Sequence, residues 1–387
     1  MKKILFIESH NGKISGAQKV TLNVAKLLSE RGDDLTVMYP GSYLDELALK
    51  YKSYAKAIKC YKMPSSLGSG GFDGLNVLQK IQVIIVSFLK MIFFYFSVSW
   101  YSRKNKFDYI YAYDPRGLFL ALPVAVLSKK KIIWHLHGKF LYGDFFFKII
   151  NFFCYRVLVP SHAIKEALPN SKKINVLYNG FEFREMGNVP YKNSNVLKIL
   201  FVGVFTPQKG VHLLLEALSL YKNKNKKIEL TLVGDILDDD WKWYADLLNE
   251  KIKLLPENIS ICTPGWVKDV SLYLKLGDYL IFPSQHSCEL LINNVSRKFY
   301  GSEALPTVLI EAQAMNLPVI ANDVPGVREI VQVNGGFVVN MNSVDDILFI
   351  IERIAKEPRN MFTVKSEETR RKFSLDAMRK QLYCLIP

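Results

Sequence analysis

Two Rossmann-like, doubly wound α/β lobes facing a cleft are the architecture this sequence predicts. Three observations carry that reading. The chain has 387 residues, more than one ordinary core accommodates. Short β-branched runs alternate with longer helical patterns, the mark of a parallel sheet covered by helices. The alternation restarts after residue 190, as though a second lobe begins there.

KILFI (3–7) reads as a first buried strand, because Glu8 and His10 interrupt the apolar run before a signal-peptide core could form. A glycine-containing loop and the helix GAQKVTLNVAKLLSERG follow, then the strand DLTVMYP. Residues 41–76 are poorly patterned. Beyond them come a long helix (77–101), the strand FDYIYAY, an apolar helix near 116–128, the strand KIIWHLHG, an apolar segment (145–156) and the strand RVLVPS. VLYNG (176–180) closes the first lobe, and EFREMGNVPYKNSN has the turn residues of a linker. LKILFVGVF (197–205) opens the second lobe, and KIELTLVGD, NISICTPG, DYLIFPS, LPVIAND and GGFVV continue it, with helices from 343 to the end. The expected domains are 1–185 and 190–387, the last helix returning to the first.

Composition narrows the class. Hydrophobic residues at 49% with 22% charged describe a globular chain. Five scattered cysteines without a C-x-x-C indicate neither a disulfide framework nor a zinc site, and fit a reducing cytoplasm. The net charge of +15 is uneven: residues 1–190 carry 27 Lys and Arg against 13 Asp and Glu, whereas the rest carry 24 against 23. A polyanionic partner is therefore expected on the first half, either nucleic acid or an anionic lipid surface. No helix-turn-helix, zinc-finger or RNP-type motif supports nucleic acid.

Chemistry concentrates in GSEALPTVLIEAQAMNLPVIAND, where Glu303 and Glu311 flank seven residues. Pro306 suits a helix start, so the N–H groups of Thr307, Val308 and Leu309 are expected to be unpaired and available to phosphate. Glu311 could accept the two hydroxyls of a ribose, or be an ordinary helix-surface carboxylate. In VGVFTPQKGVHLLLEAL, Gly203 allows close approach of a ligand and Lys209 at the helix start can neutralise a diphosphate; a solvated lysine is the alternative. Asp238-Asp239-Asp240 matches a D-x-D metal pattern, but helix capping explains it, and no metal site is expected.

Together these segments resemble glycosyltransferase family 4, the retaining enzymes of GT-B fold, through nearly the whole chain. The resemblance is carried by SGAQKV (15–20), HLHG (135–138), VLYNGFEF (176–183), FVGVFTPQKG (201–210), LVGD (232–235) and the E-x7-E pair. It implies that Lys209 contacts the donor diphosphate, Glu311 the ribose, and Glu303 the transferred sugar near the reacting carbon. It gives His137 a place at the donor sugar or reaction centre, with His135 as the competing residue, and Gly16 a loop that lets the backbone approach donor and acceptor. Two features depart from the family. Val204 stands where an Arg usually follows the strand glycine, and an insertion separates Pro283-Ser284 from Glu303. That insertion brings Arg297 and Lys298 near the donor segment, as a replacement cation or as part of a solvated loop.

The implied reaction is transfer of a hexosyl or N-acetylhexosaminyl group from a nucleotide sugar to a glycan or lipid-linked acceptor, without cofactor or obligatory metal, in cell-surface polysaccharide or O-antigen assembly. A nucleotide-sugar epimerase or hydrolase of the same fold, or a silent scaffold, is the alternative. A dinucleotide oxidoreductase is disfavoured, since neither first strand is followed by G-x-G-x-x-G. Residues 81–100, IQVIIVSFLKMIFFYFSVSW, are long enough to span a bilayer, yet lie between strands of one sheet. They are expected to lie against the sheet and touch the inner face of the cytoplasmic membrane peripherally; a fully buried helix is the alternative.

Overall fold

The computed structural model describes all residues except 12, 13, 15, 63–75, 141–142, 184–194, 332–335 and 357–362. The expected linker falls largely outside the described residues. The chain divides into two compact units: Met1–Pro160, Ile164–Gly180 and Met378–Pro387 form one, Ser161–Ala163 and Phe181–Ala377 the other.

The first unit is built on seven strands: β1 (Lys3–Ile7), β2 (Asp34–Tyr39), β3 (Ala57–Cys60), β4 (Tyr109–Tyr113), β5 (Lys131–His135), β6 (Cys154–Val159) and β7 (Ile174–Val176). They pair in the order β3-β2-β1-β4-β5-β6-β7, all parallel. The near-continuous apolar runs follow from this arrangement, since a parallel strand covered on both faces has no wet side; Ile4–Ile7 and Ile132–Trp134 are all buried. Strand order reverses between β1 and β4, the switch point at whose carboxyl end ligands bind in open α/β sheets. The C-terminal residues close this unit: Tyr383 donates its hydroxyl to Leu27 O at 2.8 Å, and the Arg31 guanidinium stacks on the Tyr383 ring.

The second unit repeats the plan. β8 (Val196–Val202), β9 (Lys227–Val233), β10 (Ile259–Gly265) and β11 (Tyr279–Phe282) are followed by an antiparallel hairpin, β12 (Ser287–Ile292) and β13 (Val295–Tyr300), then by β14 (Val319–Asn322) and β15 (Phe337–Val339). The main sheet runs β10-β9-β8-β11-β14-β15, again parallel, with its switch point between β8 and β11. Phe201, Leu214, Leu215, Tyr244 and Ile351 lie in the core this sheet shares with its helices.

Three segments differ from the sequence expectation. Residues 41–76 contain the helix Glu46–Lys52 and β3; a four-residue, half-exposed edge strand carries too little apolar pattern to be read. The strand at the end of the first lobe is Ile174–Val176, so VLYNG contributes only its first residue, although Leu177 N–H extends the ladder to Val159 O at 2.9 Å. The insertion before Glu303 is the β12–β13 hairpin rather than a loop. Its turn residues Asn293 and Asn294 have φ of 50° and 61°, the left-handed pair that a two-residue hairpin turn demands.

The long apolar segment is the helix Val77–Lys104, opened by a capping box in which Gln79 N–H donates to Asn76 Oδ1 at 2.9 Å and Asn76 N–H to Gln79 Oε1 at 3.0 Å. Only Ser87, Met91, Phe94, Val98, Ser99 and Ser102 are buried, one stripe at helical spacing. That stripe packs on the helix Asp114–Ser128, whose interior Pro123 cannot donate to the Phe119 carbonyl. The Tyr95 hydroxyl donates to Phe119 O instead, at 3.3 Å.

Candidate functional site

In the second unit, the loop after β8 is held against the end of β11. A 3-10 turn, Pro207–Lys209, ends at Gly210, whose φ is 73°; a Cβ there would lie 2.2 Å from Pro283 O. Gly234, at φ 142°, is tighter still, since a Cβ would meet Gly203 O at 1.8 Å. The room around Gly203 is thus used by its own strand neighbour as well as lying beside the loop, and Gly203 N–H donates to Val233 O at 3.0 Å. Pro283-Ser284-Gln285 is fixed by buried amides. Gln285 Nε2 donates to Pro283 O at 2.7 Å and Met341 O at 2.8 Å, and Asn322 Nδ2 donates to Ser284 O at 2.9 Å.

This frame brings Lys209 and Glu303 together. The Lys209 ammonium donates to Glu303 Oε1 in an ion pair whose side chains are 25% and 13% exposed, and the Ser284 hydroxyl donates to the same oxygen at 3.3 Å. The ammonium also stands over the Phe282 ring, 5.6 Å from its centroid. Among the described residues, Glu303 is its one hydrogen-bond partner, so two donor positions remain for a ligand oxygen.

Glu311 and Thr307–Leu309 share the helix Thr307–Ala314, which starts after Pro306 without a side-chain cap. Thr307 and Val308 N–H have no partner among the described residues. Leu309 corrects the sequence expectation: its N–H donates to Pro306 O at 3.2 Å, the tightened first turn that an uncapped helix adopts. Glu311 is half-buried one turn further in.

Arg297 and Lys298 are exposed neighbours on β13, so their side chains leave opposite faces of the hairpin. Lys298 lies over the Tyr300 ring, 5.5 Å from its centroid. Arg297 shares its face with Phe299, which stacks on Trp243 at 5.8 Å and meets Trp241 at 6.0 Å. The base of the hairpin is tied to the lysine turn, Gln285 N–H donating to Gln208 O at 2.7 Å. Asp238 Oδ1 accepts the Asp240 N–H at 3.2 Å, a capping bond at the start of a 3-10 turn. Among the described residues no three His, Cys, Asp or Glu side chains gather as a metal-ligand set.

In the first unit, the two histidines of HLHG lie in ring contact, centroids 4.1 Å apart, but differ in exposure. His135 ends β5 fully buried, Nδ1 2.7 Å from the Tyr111 hydroxyl, and burial pushes its pKa well below the usual value. His137 lies beyond the strand and is only partly buried, with its N–H donating to Asp114 Oδ1 at 3.2 Å. Desolvation lowers its pKa to about 3, so the imidazole is neutral near pH 7 and can donate or accept a hydrogen bond but carries no charge. Gly16 begins the helix Gly16–Glu30, and a Cβ there would meet open space.

Sequence reasoning missed a group at the first switch point. Glu8, 1% exposed, accepts Tyr51 Oη at 2.9 Å, the N–H groups of Ser9 and His10 at 2.8 and 2.9 Å, and the Tyr113 hydroxyl. Asp114 has a φ of 54°, strained for a residue with a side chain, and burial raises its pKa while the His137 N–H and the nearby His10 oppose that rise. The only sequence signal was that Glu8 and His10 break an apolar run.

Known proteins share the two-sheet plan of this chain. The profile of glycosyl transferases group 1 matches residues 183–376 and that of Glycosyltransferase Family 4 matches residues 14–184. The chain is 30% identical to the capsular polysaccharide biosynthesis glycosyltransferase CapH of Staphylococcus aureus, over 48% of this chain and 47% of that one, so the match spans about half of CapH. Over 93% of its length it is 22% identical to an Escherichia coli UDP-Gal:α-D-GlcNAc-diphosphoundecaprenol α-1,3-galactosyltransferase, covering 89% of that protein. Among solved structures, Anabaena HepE in complex with UDP superposes with a TM-score of 0.71 at 19% identity, covering 99% of this chain and 98% of that one. The apo form of the lipopolysaccharide outer core galactosyltransferase WaaB gives 0.68 at 19%, covering 100% and 99%. With two parallel sheets of Rossmann-like order and family profiles covering both halves, the chain belongs to glycosyltransferase family 4 and has the GT-B fold.

Proposed function

We propose that the enzyme transfers a hexosyl or N-acetylhexosaminyl group, with retention of configuration, from a nucleotide-diphosphate sugar to a lipid-linked glycan in cell-surface polysaccharide assembly. The observation that carries this reading is the Lys209–Glu303 pair at the second switch point, with the uncapped N-terminus before Glu311 on the helix that follows Glu303 in sequence. A diphosphate needs cations and free N–H groups, a ribose needs a carboxylate, and these are the groups the segment offers. Lys209 binds the diphosphate, Glu311 the ribose, and Glu303 and the neutral His137 the transferred sugar. Gly16 and Gly203 leave backbone exposed to substrate, and Thr307 and Val308 N–H complete the phosphate contacts. Arg297 or Lys298 supplies the counter-charge that Val204 lacks. The leaving diphosphate helps to deprotonate the acceptor on the face it departs from, and the protein contributes orientation and electrostatic stabilisation. No metal is required in this scheme.

HepE has been solved with UDP and with UDP-glucose, and the E. coli relative is named for a UDP-Gal donor and a diphosphoundecaprenol acceptor, which favours a UDP-hexose here. A lipid-linked acceptor places the enzyme on the inner face of the cytoplasmic membrane. The exposed apolar side of Val77–Lys104 supports that location, as does Gly143–Phe153, where only Phe147 is buried. Incubation of the purified chain with labelled nucleotide sugars, with and without lipid-linked saccharides, tests the reading. Product that forms only with acceptor supports transfer; product without it supports an epimerase or hydrolase, and no turnover supports a scaffold.

A further inference from the structure

The loop after β1 holds a histidine that none of the assigned roles uses. His10 sits just past the carboxyl end of β1, beside the first switch point, where β4 ends at Tyr113 and Asp114 begins the helix that follows. Its side chain is one-third exposed, and its ring stacks on Tyr113 with centroids 5.6 Å apart. Nδ1 faces inward, 3.2 Å from Tyr113 Oη, 2.9 Å from Ser9 Oγ and 3.8 Å from Glu8 Oε1.

These neighbours choose the tautomer of the neutral ring. Glu8 is surrounded by four donors and acts as an acceptor only. The Tyr113 hydroxyl spends its proton on Glu8, so its oxygen can only accept from His10. Ser9 can serve either way. Tyr113 Oη thus calls for a proton on Nδ1, and the Glu8 carboxylate at 3.8 Å favours one electrostatically; that leaves the lone pair on Nε2, which has no partner among the described residues. A buried carboxylate and a tyrosine therefore hold an outward-facing imidazole nitrogen as a pure hydrogen-bond acceptor at the place where ligands meet a doubly wound sheet.

We propose that His10 binds a hydroxyl of the acceptor sugar through Nε2, and that Glu8 and Tyr113 are positioning residues that keep Nε2 unprotonated. The assignment rests on the transfer reading above and adds a specificity-determining contact to it. A site that only accepts selects a sugar presenting a hydroxyl at that point and disfavours a deoxy or O-acylated one, which leaves the nitrogen unpaired. No proton changes hands, so the leaving diphosphate keeps its role.

Two measurements on the full chain test the proposal. Nitrogen-15 histidine labelling, with His10→Asn for assignment, reads the tautomer above the titration range: His10 is expected with the proton on Nδ1, and Tyr113→Phe should shift the population toward Nε2. A proton on Nε2 in the parent overturns the proposal. Kinetics with UDP-hexoses and N-acetylglucosaminyl diphosphoundecaprenol, extended to extracted lipid-linked saccharides, should show His10→Ala and His10→Asn raising the acceptor KM about three- to tenfold, the worth of one neutral hydrogen bond. The donor KM and nucleotide-dependent thermal stabilisation should stay at parental values, which also verifies folding. An acceptor KM within twofold of the parent in both variants overturns the proposal, and so does an equal loss of donor binding. Absence of transfer by the parent on every acceptor removes the transfer reading, and this assignment with it.

Discussion

Lys209 and Glu303, ninety-four positions apart in sequence, form an ion pair at the carboxyl end of the second sheet, and Ser284 donates to the same carboxylate oxygen. The pair is partly solvated, where ion pairs contribute little to stability, so its value lies in what it prepares. Glu303 holds the ammonium in place while leaving two of its donors unspent.

The first prediction follows from that geometry. Lys209→Ala should weaken nucleotide-sugar binding roughly ten- to a hundredfold, the worth of a charge-assisted hydrogen bond, while changing the unfolding midpoint little. Glu311→Ala should act in the same direction, and Glu303→Gln should lower kcat more than it raises the donor KM, as a contact that strengthens in the transition state does. Calorimetric titration with UDP and steady-state kinetics check all three. Unchanged UDP affinity in Lys209→Ala would place the diphosphate elsewhere.

A second prediction separates the two cations of the hairpin. Arg297 and Lys298 leave opposite faces, so they cannot serve a single diphosphate equally. Alanine substitution should lower UDP affinity in one of them and leave the other near parental; no change in either removes the proposed counter-charge. Phe299→Ala, which breaks the stack on Trp243, should destabilise by about 1–3 kcal/mol and loosen the hairpin. Denaturant melts and limited proteolysis near residue 294 would register it.

Acid should destabilise the first unit, and the sign follows from the two desolvated histidines of HLHG. Burial lowers the folded pKa of His137 to about 3 and that of His135 well below the ordinary value, so the unfolded chain binds protons first. The stability from keeping them neutral is complete above about pH 6.5 and is lost as pH falls toward 3, at up to about 1.4 kcal/mol per pH unit for each ring. Asp114, raised by burial, has the opposite sense: its contribution is complete below the ordinary carboxylate value and is lost as pH rises through the raised folded value, so it offsets the lower part of the histidine window. Urea midpoints between pH 8 and 5 should fall in the parent and fall less steeply in His137→Gln; parallel slopes would contradict the assignment.

The alternation of strands and helices was legible because each parallel strand is buried on both faces and announces itself as an unbroken apolar run, as KILFI and KIIWH do. β3 and the hairpin were not, since both are half-wet; yet Asn293-Asn294 between two β-rich runs was a turn signal that went unread. Lys209, Glu303 and Glu311 could be singled out because each belongs to a local pattern. The Glu8–Tyr113–His10 group has no such pattern, for Tyr113 lies more than a hundred residues downstream and only the β1–β4 pairing brings it to Glu8. In the same way, the exposure of the long apolar helix is invisible to composition: an apolar run reads alike whether a core or something else covers it.

The last prediction concerns that helix. Val77–Lys104 is long and apolar enough to cross a bilayer, but its buried stripe is anchored on Asp114–Ser128, with Ser99 Oγ donating to Val124 O at 3.4 Å and Arg103 bonded to Leu127 O. Threading it through lipid would strip those contacts from a helix that lies between two strands of one sheet. Outside that stripe Phe88, Phe93 and Phe96 are exposed to solvent, Phe93 being 76% exposed, as is Ile84 toward the helix start, with Lys80, Lys90, Arg103, Lys104 and Lys106 along and beyond it. Apolar side chains among cations on the half of the chain that carries the excess positive charge suit an anionic lipid surface. Flotation with vesicles containing anionic phospholipid should recover the protein at low salt and progressively less as salt rises, because exposed charges are screened over about 8–10 Å near physiological ionic strength. Phe88→Asp with Phe93→Asp should abolish flotation and leave UDP binding intact, since neither side chain is in the buried stripe. Retention that only detergent reverses would mean that the helix inserts, and failure to float at low salt would assign the exposed face to a protein partner.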